Sequence, residues 1–540
     1  MAENTFALLH YLSSPESPLA SLTAGYSKPT TVFYQVFSFF VVYSHKTAMT
    51  LYISLFSASL LFVGLTYSAP GPALKQARGI LVDHLRGVIA IVAAFFGAVI
   101  SVNLVAILMR DVLHKPLSWF SVELSCLALY GPPALAGALF TQLLVPSVRE
   151  RTIFSSFLLL QGGLACLVQA LGVGSSAVFF VAGLPLLVAL VIDAAVSNKN
   201  QEVSLLSYAV GELMPLTIGA TLSYAMLDVF VPLTGRMGEE APAENIIATL
   251  VAVTGSYAFP LAVPFVHRYS RSMVVRTVLS LTFLSALSVA VFSSREVFDE
   301  MHQKRLFVIH MENITDGEQH LHVGAADSAP GFDQLAYEIA QRFGAPNAGP
   351  VPIVMNDWNP DWDTIYPFSA FLTPYKLDLP LREEYKDALD YDFKVTAIND
   401  SVDEAKGVRN LTMVIHHPGI IWTTVAFDAH VLSWTLDNNP PDEFARHHIK
   451  EGSFYGNDVW SVDLSIKVPQ ASSWSTEDGK IRVDFVGVHE KAMWPGKKAE
   501  KEQGGRAMVL FEDFDEWLET EKGGKIDGTL LGCVGGVAWV

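Results

Sequence analysis

Eight stretches of this chain are long and apolar enough to cross a bilayer, and they constrain the fold more than any single motif. A helix spanning the hydrocarbon layer needs about 20 predominantly apolar residues. Such runs occupy residues 48–67, 87–108, 120–144, 153–171, 177–192, 203–230, 245–266 and 273–292. The shortest, 177–192, carries Gly183 and Pro185. Backbone polar groups in lipid must be satisfied within the span, so helices are expected throughout. Residues 32–43, VFYQVFSFFVVY, are uncharged and aromatic but too short to cross, which fits an interfacial or re-entrant piece.

The charge is distributed unevenly. Residues 293–540 hold 41 acidic against 22 basic residues, whereas residues 1–292 hold 13 against 14. An acidic segment joined to a near-neutral apolar block excludes nucleic acid as a partner and points to a membrane domain over 31–292 followed by a water-exposed domain over 293–540. The lipid bilayer is the first partner this implies. Three cysteines, Cys126, Cys166 and Cys533, provide neither a disulfide framework nor zinc-type spacing. The first 30 residues lack the basic start and long apolar core of a signal peptide.

Loop charge predicts orientation, because cytosolic loops are enriched in lysine and arginine. The loops after the first, third, fifth and seventh runs contain Lys75, Arg78, Arg86, Arg149, Arg151, Lys199, Arg268 and Arg271. Those after the second, fourth and sixth contain Arg110, Lys115 and Arg236. Both ends of the chain are therefore expected on the lumenal or exterior side. The N-x-[ST] acceptors Asn313, Asn399 and Asn410 all fall in the C-terminal segment, in keeping with that orientation and with glycosylation there.

From Arg295 onward the apolar period changes to two. The runs 305–311, 393–398, 411–417, 420–427, 459–468 and 481–488 predict short strands of a mostly antiparallel, sandwich-like domain. Residues 331–344 and 511–522 read as two helices.

The stretch 208–252, YAVGELMPLTIGATLSYAMLDVFVPLTGRMGEEAPAENIIATLVA, resembles the membrane region of the endoplasmic reticulum metallopeptidase family, which includes the fungal vacuolar membrane proteases. Its most specific part is F-x-P-L-x-G-R, here Phe230, Pro232, Leu233, Gly235 and Arg236, followed by an acidic loop. FYQVFSFFVVYS (33–44), LSWFSVELSCLALYG (117–131) and KRLFVIHMEN (304–313) extend the resemblance along the chain. It implies a lumenal zinc peptidase domain ahead of eight spans and a lumenal β-domain. Residues 3–18 resemble the closing helix of that peptidase domain, so residues 1–30 are expected to be its remnant. The zinc ligands and the general-base glutamate would lie upstream, so no catalytic residue, metal ligand or cofactor is assigned to this chain.

His320 and His322 share one strand face, with His310 on the neighbouring strand, but no HExxH helix accompanies them. Asp357, Asn359, Asp361 and Asp363 match the first ligands of a calcium loop, yet Trp362 and Phe368 stand where that loop needs Gly and Glu. No serine-hydrolase elbow, P-loop or dinucleotide glycine pattern occurs. Three acids, Glu123, Glu212 and Asp228, fall in the apolar runs, where an ionisable residue is a functional candidate by default. Glu212 and Asp228 lie about 24 Å apart along a helix and form no dyad. The commoner expectation is that each acid caps a kink or reaches the interface, while Glu123 would approach Glu212 if their helices are neighbours. Pro215 removes the amide that would bond the Gly211 carbonyl, so a kink is expected there.

The combined expectation is the membrane-anchoring and lumenal C-terminal portion of a zinc metallopeptidase, itself catalytically silent. It would sit multi-pass in the endoplasmic reticulum membrane, with the vacuolar membrane as alternative, and meet a peptidase domain or peptide substrate on the lumenal side. A stand-alone polytopic transporter or scaffold is the second expectation.

Overall fold

Each apolar run becomes a helix, and the helices run further than the runs. The computed structural model describes residues 2–14, 17, 31–36, 39–67, 73–196, 202–353, 364–380, 392–453, 456–468, 480–489 and 506–540. Among these, eight helical segments are long and apolar enough to cross a membrane. A short helix α1 (Ala2–Leu12) and a hairpin of β1 (Thr31–Val36) and β2 (Phe39–Ser44) precede α2 (His45–Thr66). Next come α3 (Ala73–Ile107) with a π-helical turn (Leu108–Val112), α4 (Cys126–Leu144), α5 (Glu150–Ala170) and α6 (Ala177–Val196). The last crossing elements are α7 (Leu205–Thr234), α8 (Ala243–Gly255) continuing through a 3-10 turn into α9 (Phe259–Val266), and α10 (Arg271–Ser293).

One sequence expectation is corrected here. Lys75, Arg78 and Arg86 belong to the first turns of α3 rather than to a loop, because helical hydrogen bonding continues past the apolar window. Helix α7 continues as helix through Pro215. The seventh span is the interrupted one, at residues 256–258 beside Pro260.

The structure divides into two compact units. The first comprises Met1–Ala98, Leu135–Ser223 and Val253–Ser280. Here the hairpin seats Val32 against Ala48 and Tyr52 of α2, Ala165 of α5 and Ala177 of α6. The Tyr43 and Tyr52 hydroxyls meet at 2.8 Å. Phe33, Phe39 and Phe40 point outward and are each about two-thirds exposed or more. A two-stranded ribbon leaves backbone groups unpaired along its edges, so it cannot lie in hydrocarbon, and its aromatic face suits the interface.

The second unit comprises Val99–Ala134, Tyr224–Ala252 and Leu281–Val540. Its C-terminal part is built on β3 (Lys304–Asn313), β4 (Gln319–Ala325), β5 (Val351–Pro352), β6 (Thr373–Asp378), β7 (Lys394–Asp403), β8 (Val408–His416), β9 (Ile420–Trp434), β10 (Phe444–Lys450), β11 (Val459–Lys467), β12 (Arg482–His489) and β13 (Ile526–Trp539). Their order is β5-β6-β4-β3-β13-β12-β9-β11-β8-β7, with β10 on β9. Every pairing is antiparallel except β13 with β3. Strand β9 pairs with β10 and β12 along most of its length and with β11 at its end, so it joins two layers. Between them lies a core of Met413, Ile415, Val425, Phe427, Leu464, Val483 and Phe485. The remaining face of β3 and β4 is covered by α11 (Phe332–Phe343) and α12 (Arg506–Thr520), which pack Ile339, Phe511 and Phe514 on Leu306, Val308 and Leu321.

Candidate functional site

The most completely built polar centre in the second unit surrounds Glu244. It stands in the first turn of α8, where a carboxylate complements the positive end of the helix. It is 1% exposed. The Leu117 backbone N–H donates to it at 2.6 Å, the Trp119 indole at 2.8 Å, and the Tyr130 hydroxyl closes the set. The polar chain continues with Arg110 donating to Asn245 at 2.9 Å, Asn245 to Asn103 at 2.8 Å and Asn103 to Thr249 at 3.0 Å. A carboxylate surrounded by donors is suited to holding three segments together rather than to moving protons. Glu244 closes the acidic loop that follows the F-x-P-L-x-G-R motif, and its place just before the apolar run 245–266 is the signal the sequence carries.

Next to this centre, the F-x-P-L-x-G-R loop meets the C-terminal domain. A Cβ on Gly235 would stand 2.7 Å from the Phe120 ring, and Phe120 in turn packs edge-on against Phe298. Gly238 has φ +85° and donates its N–H to the Ala326 carbonyl at 2.9 Å. Thr373 donates to Glu239 at 2.5 Å. Arg295 reaches the Ser121 hydroxyl at 3.3 Å, and His302 lies 3.2 Å from Glu123 and 3.1 Å from Asp299. Burial opposes charging of His302, but the two carboxylates outweigh it and hold the imidazole above its ordinary pKa. Burial likewise disfavours ionised Asp299, and the donors of His302 and Met301 outweigh it and lower that carboxyl.

The three acids singled out from the sequence have three different environments. Glu123 begins the short turn before α4 and pairs with His302 of the C-terminal domain. Asp228 is exposed on α7. Glu212 is 2% exposed, and neither carboxylate oxygen has a hydrogen-bond partner among the described residues, so it caps no kink and reaches no interface. One turn earlier on α7, Tyr208 donates to Glu150 at 2.6 Å. Glu150 also binds Arg268 at 2.7 Å, and Arg151 pairs with Asp193 at 2.5 Å. The ends of α5, α6 and α9 thus meet, which agrees with the grouping of odd-numbered loops on one side.

Among the sequons, Asn399 and Asn410 are exposed and Asn313 is half-buried at the end of β3, donating to Asp316 at 2.7 Å. His320 and His322 share a face, their Nε2 atoms 2.8 Å apart. His310 does not join them: it is opposite Leu321 in the β3–β4 register and points to Phe511 of α12, the other face of the sheet. Residues 357–363 lie outside the described residues. Among the described residues no three His, Cys, Asp or Glu side chains converge to hold a metal. That donor set does not fit a zinc centre, and no zinc chemistry is assigned to it.

Residues 80–292 match the endoplasmic reticulum metallopeptidase 1 transmembrane domain. A Schizosaccharomyces pombe protein provisionally named endoplasmic reticulum metallopeptidase 1 is 31% identical over 533 residues, 97% of this chain and 60% of that protein. The endoplasmic reticulum metallopeptidase 1 proteins of Rattus norvegicus and Homo sapiens are 22% and 21% identical over 57% of this chain, covering 36% and 35% of their own lengths. The chain therefore spans less than two thirds of the length of these relatives. It carries the endoplasmic reticulum metallopeptidase 1 transmembrane domain and is a homologue of that family.

Proposed function

We propose that this chain provides the multi-pass membrane anchor and the lumenal C-terminal domain of a zinc peptide hydrolase of the endoplasmic reticulum. In this reading its own residues position rather than catalyse, and its partners are the bilayer and a peptidase domain or peptide substrate on the lumenal side. The observation that carries it is the junction around Gly238 and Glu239. There the loop after α7 is bonded to Ala326 and Thr373 of the C-terminal domain, the arrangement a platform held against the membrane face requires. Expressed in cells, the chain should show a glycosidase-sensitive mobility shift that Asn313→Gln, Asn399→Gln and Asn410→Gln together abolish. The purified chain should show no zinc-dependent peptidase activity. An unshifted wild-type band would count against the lumenal placement, and zinc-dependent hydrolysis by the purified chain would overturn the positioning role.

A second reading, solute transport by the first unit, rests on Glu212. An unpaired buried acid in a membrane helix is costly to keep, and such residues mark ion or substrate paths. Unchanged function of a Glu212→Gln chain in cells would remove this reading.

A further inference from the structure

Beside the last membrane helix lies a basic cavity of about 490 Å³. Its walls are Lys115, residues 294–298 after α10, the start of α11, and Lys522 and Lys525 beyond α12. Five cations reach it: Lys115, Arg295, Lys304, Lys522 and Lys525. Three are neutralised locally, Lys304 by Asp327, Lys522 by Glu338 and Lys525 by Glu296. Lys115 and Arg295 have no carboxylate partner among the described residues; Arg295 lies over the Phe292 ring. Helix α11 starts at this wall from Gly331 with no side-chain cap, so no capping side chain competes with an anion for its first-turn N–H donors.

Position then narrows the ligand. Lys115 lies just beyond the π-helical turn that ends at Val112, and Arg295 just beyond α10, which ends at Ser293. Both are therefore at the ends of membrane-crossing segments. The half of α10 leading to the cavity presents Phe283, Leu287 and Val291 outward, each more than half exposed. A molecule that satisfies both surfaces has an apolar tail and an anionic head.

We propose that the cavity binds the phosphate headgroup of an anionic membrane lipid, with Lys115 and Arg295 on the phosphate and the acyl chains along α10. The guanidinium fork matches phosphate oxygens, and a lysine supplies a second point charge. Basic pockets between membrane helices hold anionic headgroups on the cytoplasmic face, and the same charge complementarity acts at the lumenal face where this cavity lies in the reading above. A zwitterionic headgroup brings its own cation into a cavity where Lys115 and Arg295 have no carboxylate partner among the described residues, so it should bind more weakly.

The test uses the whole chain purified in detergent, with lipid retention counted by native mass spectrometry. The probes are dioleoyl-phosphatidylglycerol, dioleoyl-phosphatidylcholine and inorganic phosphate. Phosphatidylglycerol should be retained at about tenfold lower concentration than phosphatidylcholine, and K115Q/R295Q should remove that preference. R305Q, which neutralises an exposed cation outside the cavity, should leave it unchanged. K115Q alone, at a side chain with no recorded partner, should weaken retention severalfold and keeps the test valid if the double variant folds poorly. Equal retention of the two lipids by the wild type, or an undiminished preference in both variants, would overturn the proposal. Inorganic phosphate binding as tightly as the lipid would reassign the cavity to a soluble phosphate and overturn the lipid assignment.

Discussion

The indole N–H of Trp119 donates to Glu244 at 2.8 Å, and both side chains are fully buried. Because Leu117 and Tyr130 donate to the same carboxylate, removing it strands three donors at once. Each unsatisfied buried group costs about 1–3 kcal/mol. Glu244→Ala should therefore lower stability by about 3 kcal/mol or more, whereas Tyr130→Phe, which removes one donor and keeps the ring, should cost about 1 kcal/mol. Thermal unfolding of the detergent-solubilised chain distinguishes the two.

Lys304 and Asp327 form a buried pair at 2.7 Å in the C-terminal domain, their side chains 7% and 0% exposed. Burial raises the Asp327 carboxyl above its ordinary pKa, and Lys304 only partly opposes this. Breaking such a pair from one side costs about 3–5 kcal/mol, while replacing both partners by apolar groups is often neutral. Lys304→Met should be strongly destabilising, and Lys304→Met/Asp327→Leu should recover most of the loss in denaturant unfolding. A double variant as unstable as the single one would contradict this account.

Gly238 and Gly317 both have positive φ, yet only Gly238 is crowded, its missing Cβ pointing at the Phe371 carbonyl. Alanine at Gly317 should cost about 1–2 kcal/mol, the backbone penalty alone. Gly238→Ala carries that penalty plus displacement of residues 371–373, so its unfolding midpoint should fall further and proteolysis at the junction should accelerate.

The Glu123–His302–Asp299 cluster makes stability depend on pH. The folded pKa of His302 is raised, so its contribution is complete below the unfolded value of about 6.5 and is lost as pH rises through the folded value. The folded pKa of Asp299 is lowered, so its contribution is complete above about 3.9 and is lost as pH falls. The cluster should stabilise the chain most between those limits. Unfolding midpoints from pH 4 to 9 should show a decline on the alkaline side that His302→Gln flattens.

Local pattern made much of this fold legible. Bilayer thickness sets a length that each of the eight apolar runs meets. Period two located β3, β7, β8, β9, β11 and β12, whose burial alternates or whose faces are both covered. Period two misses β5, β6, β10 and β13, which owe their state to the strands they pair with. β13 alone pairs parallel with β3, more than 200 residues earlier in the chain.

The candidate site was less legible, because its decisive contacts join residues far apart in sequence. Local sequence sets how many segments can enter a membrane, where the acidic domain begins, and where the F-x-P-L-x-G-R motif lies. That Glu244 is a buried clasp, that Glu123 answers to His302, that Glu212 has no hydrogen-bond partner among the described residues, and that His310 faces away from His320 and His322 came from tertiary packing alone. The physical reason is range: hydropathy and period follow from each residue's neighbours in the chain. The environment of a charge instead depends on what packing brings within about 4 Å of it, here from segments more than a hundred residues away.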